Sequence, residues 1–303
     1  MQEAVLLVHG GAGKASSYPH KAREGECKEA LKLALQTGYN ILRNGGTSLD
    51  AVEAAIKTME DLPLFNAGKG AVLANSGICE LDASIMDGKN KRAGAVAGIT
   101  IAKNPIMVAR AVMEKSDCVL MASHGADVFA QEQKLEIVTP SYFHTKENLE
   151  KLKQVQAVDE NIEPSKSGTV GAVALDQEGN LAAGTSTGGR VANKYSGRIG
   201  DSAIIGAGTF ADNKTCAVST TGYGEIFIRN VAAYDIAALI EYKGLSVQKA
   251  ADIVIKSKIP LLGGYGGVII IDRHGHYAMS FNTETMLRGY ITADGVSKID
   301  IHQ

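Results

Sequence analysis

Apolar and polar positions alternate along this chain with two periods, and the switches between them mark its elements. Ala4–Val8 is a short apolar run of strand length. From about Glu24 to Asn44 apolar residues return on one helical face (Cys27, Leu31, Ala34, Leu35, Leu42), and Gly45-Gly46 follows where glycine commonly ends a helix. Thr47 with Asp50 predicts a capped start for a second helix that buries Val52, Ala55, Ile56 and Met59 and stops at Pro63. Strands are predicted near Ala71–Ala74, Glu80–Met86 and Gly94–Ile101, the last two joined by the turn D-G-K-N. Asn104-Pro105 predicts a capped helix reaching Lys115, Cys118–Ala122 a strand, and 125–132 and 145–155 shorter helices.

Residues 156–168 are polar and aperiodic, the pattern of an exposed linker. Beyond them Val170–Leu175 and Leu181–Ser186 read as a hairpin turning through Glu178-Gly179-Asn180. Strands near Ala203–Ala207 and Cys216–Thr220, helices over Glu225–Tyr242 and Ser246–Lys256, and a last hairpin of Gly267–Asp272 with Tyr277–Asn282 complete the pattern. Strands joined largely by hairpins, with two substantial helices in each half, predict an α+β fold. The βαβ alternation of a doubly wound sheet is missing. Residues 1–303 read as one domain.

Composition narrows the function classes. A chain with 45% hydrophobic and 21% charged residues is an ordinary globular protein. Its net charge of −2 offers no electrostatic reason to expect nucleic acid or an anionic membrane. Cys27, Cys79, Cys118 and Cys216 lack metal-ligand spacing and read as buried, reduced thiols. The opening M-Q-E-A-V-L-L-V has no basic region, and its apolar run ends at Val8, so a strand in a cytoplasmic protein is expected. The 34 glycines cluster in loops, as where backbone turns sharply or approaches something closely.

The candidate chemistry centres on Gly168-Thr169, between the linker and an apolar strand. Cutting that bond would free the α-amine of Thr169 beside its own hydroxyl, and such an amine activates an otherwise weak nucleophile. Other motifs fail on context. Gly11-Ala12-Gly13 lacks the third glycine of a dinucleotide fingerprint, and Gly68-Lys69-Gly70 lacks the first glycine and Ser/Thr of a phosphate loop. Gly184-Thr185-Ser186-Thr187-Gly188 matches a nucleophile elbow, and His276 follows in the right order, which leaves a serine hydrolase using Ser186 as an alternative. No helical period follows that serine, however. The stretch Thr185–Glu225 supplies hydroxyls, glycine turns and the pair Arg198 and Asp201, whose groups suit an α-carboxylate and an α-ammonium. A surface ion pair, or an amino-acid-binding protein without catalysis, would use the same two residues.

Eight segments together resemble the plant-type L-asparaginase/isoaspartyl peptidase family of N-terminal nucleophile hydrolases. They are H-G-G-A-G, F-N-A-G-K-G, E-L-D-A-S-I-M-D-G, N-P-I-M-V-A-R-A-V-M-E-K-S, G-T-V-G-A-V-A-L-D, T-S-T-G-G, G-R-I-G-D-S and S-T-T-G-Y-G-E. The resemblance implies an αββα four-layer sandwich whose precursor is cleaved into subunits 1–168 and 169–303. It implies hydrolysis of L-asparagine and β-aspartyl dipeptides, with Thr169 as nucleophile and Thr187 assisting. Arg198, Asp201 and the backbone of Gly224 would hold the substrate, Thr221 and Gly222 the oxyanion. Asn66 would line the site, and His9, Gly10 and Gly11 would lie near the scissile bond. No organic cofactor is implied. A sodium ion would take main-chain carbonyls from Met59, Glu60, Leu62, Phe65, Ala67 and Lys69, and the protein would be a dimer of cleaved αβ protomers. Two departures stand out: R-V-A-N-K-Y-S before Gly197 is one residue long, and Tyr223 replaces a smaller residue or histidine. Glycosylasparaginases share the fold and the nucleophile but are usually secretory or lysosomal and disulfide-bearing, so a glycosylasparaginase-type amidase is a further alternative.

Overall fold

The computed structural model describes residues 3–13, 23–157, 168–190 and 195–302. Two β-sheets carry the architecture. The larger has eight strands in the order β12-β11-β1-β5-β6-β2-β3-β4: β1 Val5–Gly13, β2 Leu81–Asp87, β3 Ala93–Ile99, β4 Leu120–Ala122, β5 Val170–Leu175, β6 Leu181–Thr187, β11 Thr285–Ile291 and β12 Ser297–His302. The smaller has the order β10-β9-β8-β7: β7 Thr209–Ala211, β8 Cys216–Gly222, β9 Gly266–Asp272 and β10 Tyr277–Phe281. All pairs are antiparallel except β3–β4.

The two-residue side-chain period explains the packing. Leu6, Val8, Val170, Ala172 and Ala174 enter a core with helices α1 (Glu24–Arg43), α2 (Ser48–Glu60) and α3 (Pro105–Lys115). Val5, Leu7, Val173 and Leu175 point to the opposite face, into a core shared with β8 and β9. Helices α7 (Ala232–Lys243) and α8 (Val247–Asp252) contact the smaller sheet. Near-continuous apolar strands such as V-G-A-V-A-L are what two covered faces require. No described helix is long and apolar enough to cross a membrane.

Most predicted elements are present. The Gly45-Gly46 stop holds, with Gly45 at φ +80° and both amides donating back to α1 carbonyls. Thr47 caps α2 through the Asp50 amide. Helices α4 (Ser123–Glu132) and α5 (Lys146–Ala157) replace the two shorter predictions, and residues 158–167 of the expected linker lie outside the described residues.

Other expectations need correction. H-G-G-A-G is not a loop but the second half of β1, paired to β11 with a register shift between His9 and Gly11. Residues 71–74 form no strand: Asn66 and Asn148 side chains, not a neighbouring strand, take the Val72 amide and the Gly70 and Ala71 carbonyls. Asn104 begins α3 without capping it, because its amide turns to Asp61 while Glu60 accepts the Ile106 N–H. The parallel strand β4 starts two residues later than predicted. Residues 203–207 form no strand, only a single bridge from Ile205 to Thr209, and the next strand is β7. Val231 adopts a left-handed conformation (φ 48°, ψ 50°) and splits the expected helix 225–242 into α6 (Gly224–Asn230) and α7. The helix from Ser246 passes from α8 into a π-turn over Ile253–Lys258. Strands β11 and β12 were not predicted, although Asp294-Gly295 between them is a hairpin signal. Cys118 is exposed, while Cys27, Cys79 and Cys216 are buried, and all four are unpaired.

Candidate active site

Thr169 stands one residue before β5, and strand parity decides what it meets. Odd-numbered residues of β1, β5 and β6 face the smaller sheet, so Thr169, His9, Thr185 and Thr187 project into one seam. Within it Thr169 Oγ1 donates to Thr187 Oγ1 at 3.2 Å, and both residues are buried. The Gly189 N–H also donates to Thr187 Oγ1, at 3.1 Å. Thr187 therefore accepts a hydrogen bond from the Thr169 hydroxyl while a backbone amide polarises its oxygen.

Gly168 packs directly on β1. A Cβ at Gly11 would overlap Gly168 Cα, and a Cβ on Gly168 would also reach within 2.8 Å of the Gly10 carbonyl oxygen. Gly11 has φ +113°, a conformation that favours glycine. Backbone thus meets backbone at the bond preceding Thr169, which explains glycine at 11 and 168, whereas a Cβ on Gly10 would strike the Phe65 ring.

Asn66 fastens the turn after Thr187. Its Nδ2 donates to the Gly189 carbonyl at 2.8 Å, its own carbonyl accepts the Gly188 N–H at 3.0 Å, and its Oδ1 takes the Val72 amide. Its side chain engages the chain itself and sets the backbone that touches Thr187.

Asp201, Arg198 and Gly224 meet at the same end of the seam. A Cβ on Gly224 would lie 2.7 Å from Asp201 Oδ1 and 3.0 Å from Arg198 Nη2, so a carboxylate and a guanidinium flank the bare glycine. Arg198 does not pair with Asp201 as a surface ion pair would. Its Nε and Nη2 grip Glu225 bidentately, both at 3.0 Å, which leaves Nη1 facing elsewhere. Asp201 is buried and accepts the Thr220 hydroxyl at 2.8 Å. Burial raises its carboxyl to about 6, against the opposing effects of Thr220 and Arg198.

Glu225 and Asp82 are site residues that the sequence reading did not single out. Both stand inside quoted motifs, Asp82 in E-L-D-A-S and Glu225 at the end of S-T-T-G-Y-G-E. Asp82 pairs across the sheet with Thr187 and accepts the Gly98 and Gly200 amides, tying the Arg198–Asp201 turn to β2. Burial pushes its carboxyl up to about 7. On β8, Thr221 shares a face with Ser219, which touches His9. Thr221 Oγ1 is a buried hydroxyl with no hydrogen-bond partner among the described residues. Gly222, at φ +149°, lies where a side chain would strike Tyr265 and Gly266. Tyr223 stacks on Tyr265, and the Arg190 guanidinium sits over its ring. Residues 191–194 of the long R-V-A-N-K-Y-S stretch lie outside the described residues.

The serine elbow does not form. Ser186 is even-numbered, so it points into the helix-side core, where its hydroxyl donates to Glu60 Oε1 at 2.7 Å. His276 is in an exposed turn and bonds Asp272. Serine and histidine lie on different sheets and share no contact. Glu60 is fully buried, which raises its carboxyl to about 8. Around it the chain from Met59 to Lys69 winds so tightly that Gly68 and Gly70 press on the carbonyls of Glu60 and Phe65.

Comparison with known proteins identifies the family. The family model described as "Asparaginase" matches residues 2–301. The isoaspartyl peptidase of Escherichia coli is 47% identical over 301 residues, covering 96% of this chain and 93% of the relative. The isoaspartyl peptidase/L-asparaginase of Xenopus laevis is 42% identical over 93% of this chain and 90% of its own length. The mouse protein of the same name is also 42% identical, over 93% and 86%. With matching segments running from β1 through β12, and with Gly168, Thr169 and Thr187 gathered in one seam, the chain belongs to the asparaginase family.

Proposed function

We propose that this protein is an amidohydrolase that cuts itself before Thr169 and then hydrolyses L-asparagine and β-aspartyl dipeptides. One observation carries the reading: Thr169 Oγ1 lies on Thr187 Oγ1 while the residue before it is clamped between bare glycines. In the precursor Thr169 Oγ attacks the Gly168 carbonyl carbon, the C–N bond breaks, and the nitrogen becomes the Thr169 amine. Water then opens the resulting ester, leaving a Gly168 carboxylate. The mature enzyme consists of subunits 1–168 and 169–303 in a four-layer αββα arrangement. Helices against one face of the larger sheet and the smaller sheet against the other support that layering.

In turnover the Thr169 amine takes the hydroxyl proton, directly or through water, and Oγ attacks the substrate's β-carbonyl carbon. The oxyanion is held by the Thr221 hydroxyl and the Gly222 backbone, a role that fits a buried hydroxyl with no partner among the described residues. The C–N bond breaks, ammonia or an amino acid leaves with the proton, and water hydrolyses the β-aspartyl ester. Arg198 holds the α-carboxylate and Asp201 the α-ammonium across Gly224. Asn66 and Glu225 act behind them, on the Gly189 turn and on Arg198 respectively. The chemistry needs no organic cofactor. Carbonyls of Met59, Glu60, Leu62, Phe65, Ala67 and Lys69 would hold a structural sodium ion, stiffening the loop that carries Asn66. We place the enzyme in the cytoplasm as a dimer of cleaved protomers acting on small molecules, not on nucleic acid or membranes.

Intact mass and N-terminal sequencing of purified protein test this reading. Fragments 1–168 and 169–303, the second beginning with threonine, are expected without added protease. Thr169→Ala should abolish both cleavage and asparagine hydrolysis. A permanently intact chain that hydrolyses asparagine would sink the proposal.

A further inference from the structure

Once the bond before it is cut, Thr169 is no longer tethered to Gly168. Its carbonyl also lies beyond the β1–β5 ladder, whose last pair is His9 with Gly171. The partner of that carbonyl is a side chain: His9 Nδ1, at 3.1 Å. A carbonyl oxygen only accepts, so Nδ1 carries the proton. His9 is fully buried, and burial holds its imidazole down to about 3, outweighing the opposing Thr169 carbonyl. The ring is therefore neutral, and its Nε2 is bare and must accept.

That requirement sets the direction of a row of hydroxyls between the two sheets. Ser219 donates its one proton to His9 Nε2 at 3.0 Å. Thr185, whose hydroxyl also lies 3.1 Å from the Gly208 carbonyl oxygen, must then turn its proton to Ser219, 2.7 Å away. Thr209 in turn donates to Thr185 at 2.6 Å. Each hydroxyl has a single proton, so the arrangement at one end dictates the rest. Gly171 makes room for it, because a Cβ there would overlap both Ser219 Oγ and His9 Nε2. The second glycine of G-T-V-G thereby gains a reason that strand formation alone does not supply.

We infer that His9 is a positioning residue for the nucleophile: its Nδ1–H pins the Thr169 carbonyl, while the Ser219 hydroxyl, backed by Thr185 and Thr209, donates to Nε2 and so favours that same tautomer. The inference rests on Thr169 being the nucleophile. Rotation about the Thr169 Cα–C bond swings amine and hydroxyl together, and pinning the carbonyl fixes the plane that rotation starts from. Misplacement of a reacting group by a fraction of an ångström to 1 Å costs rate and leaves ground-state binding untouched.

Paired amide variants separate positioning from packing, because an asparagine nitrogen falls near the Nδ1 position and a glutamine amide near Nε2. Both are measured on cleaved enzyme, with rates normalised to N-terminal threonine. His9→Gln keeps a partner for Ser219 but loses the donor to Thr169, and kcat for L-asparagine should fall about tenfold at unchanged KM. His9→Asn restores the donor and should recover most of that loss. Equal losses in both variants, or wild-type kcat in His9→Gln, would overturn the inference. If neither folds, Ser219→Ala decides: a lower kcat at unchanged KM supports it and wild-type kcat refutes it. Thr169→Ala is assayed alongside; activity there would remove the nucleophile reading itself, whatever the His9 variants do.

Discussion

Gly224→Ala adds one methyl group between the two charged groups proposed to hold substrate. The new Cβ would stand 2.7 Å from Asp201 Oδ1, 3.0 Å from Arg198 Nη2 and 3.1 Å from the Asp201 amide nitrogen. A carbon cannot sit 2.7 Å from an oxygen without displacement, and neither neighbour yields freely. Asp201 is held by Thr220 Oγ1 at 2.8 Å, and Arg198 by two bonds to Glu225. The fold should tolerate the change, since alanine is favoured over glycine in a helix by up to about 1 kcal/mol, and Gly224 begins α6. What suffers is the gap that the substrate's α-carbon substituents would bridge. Losing one charge-assisted hydrogen bond costs about 1.5–3 kcal/mol, or roughly 10- to 150-fold in kcat/KM. Self-cleavage needs neither charge, because the Gly168 carbonyl is already tethered to the nucleophile. Ammonia release from L-asparagine, measured on the same preparation as fragment formation, should show complete cleavage with KM raised at least about tenfold. Wild-type kcat/KM in the variant would mean that substrate does not lie against Gly224.

The same geometry makes further predictions. Ser186→Ala should keep asparaginase activity and lose about 1–3 kcal/mol of stability, because Glu60 Oε1 forfeits a buried donor; an inactive, well-folded variant would revive the serine hydrolase. Asp201 must be ionised to bind an ammonium, and its raised pKa of about 6 means that kcat/KM should fall as the pH drops below that value. The fall is a loss with acid because protonation removes the negative charge; a flat profile from pH 7 to pH 5 would contradict it. Arg198→Lys should damage turnover more than cleavage, since lysine cannot hold Glu225 and a carboxylate with two planar edges. Hydrolysis at the wild-type rate would exclude Arg198 as the carboxylate clamp.

Local pattern alone determined a good deal about this protein. The apolar run of β5 behind a polar linker, the Gly45-Gly46 stop and the Thr47 cap are short-range features, whose physics is contained within a few residues. The motifs made the asparaginase family legible, and with it Thr169, Thr187, Arg198 and Asp201 as candidates. Tertiary structure decided which groups those candidates face. Strand parity sends Thr187 into the seam with Thr169 and Ser186 toward Glu60, a distinction of one residue that spacing cannot rank until the covered faces are known. H-G-G-A-G became strand because β11, more than 270 residues away in sequence, supplies its partner. Val231 breaks a helix where no glycine or proline marks a boundary. Glu225 on Arg198, Asp82 beneath the Gly200 turn and the hydroxyl row behind His9 all join residues far apart in the chain. Such contacts arise only when two sheets stack, and no local period encodes them.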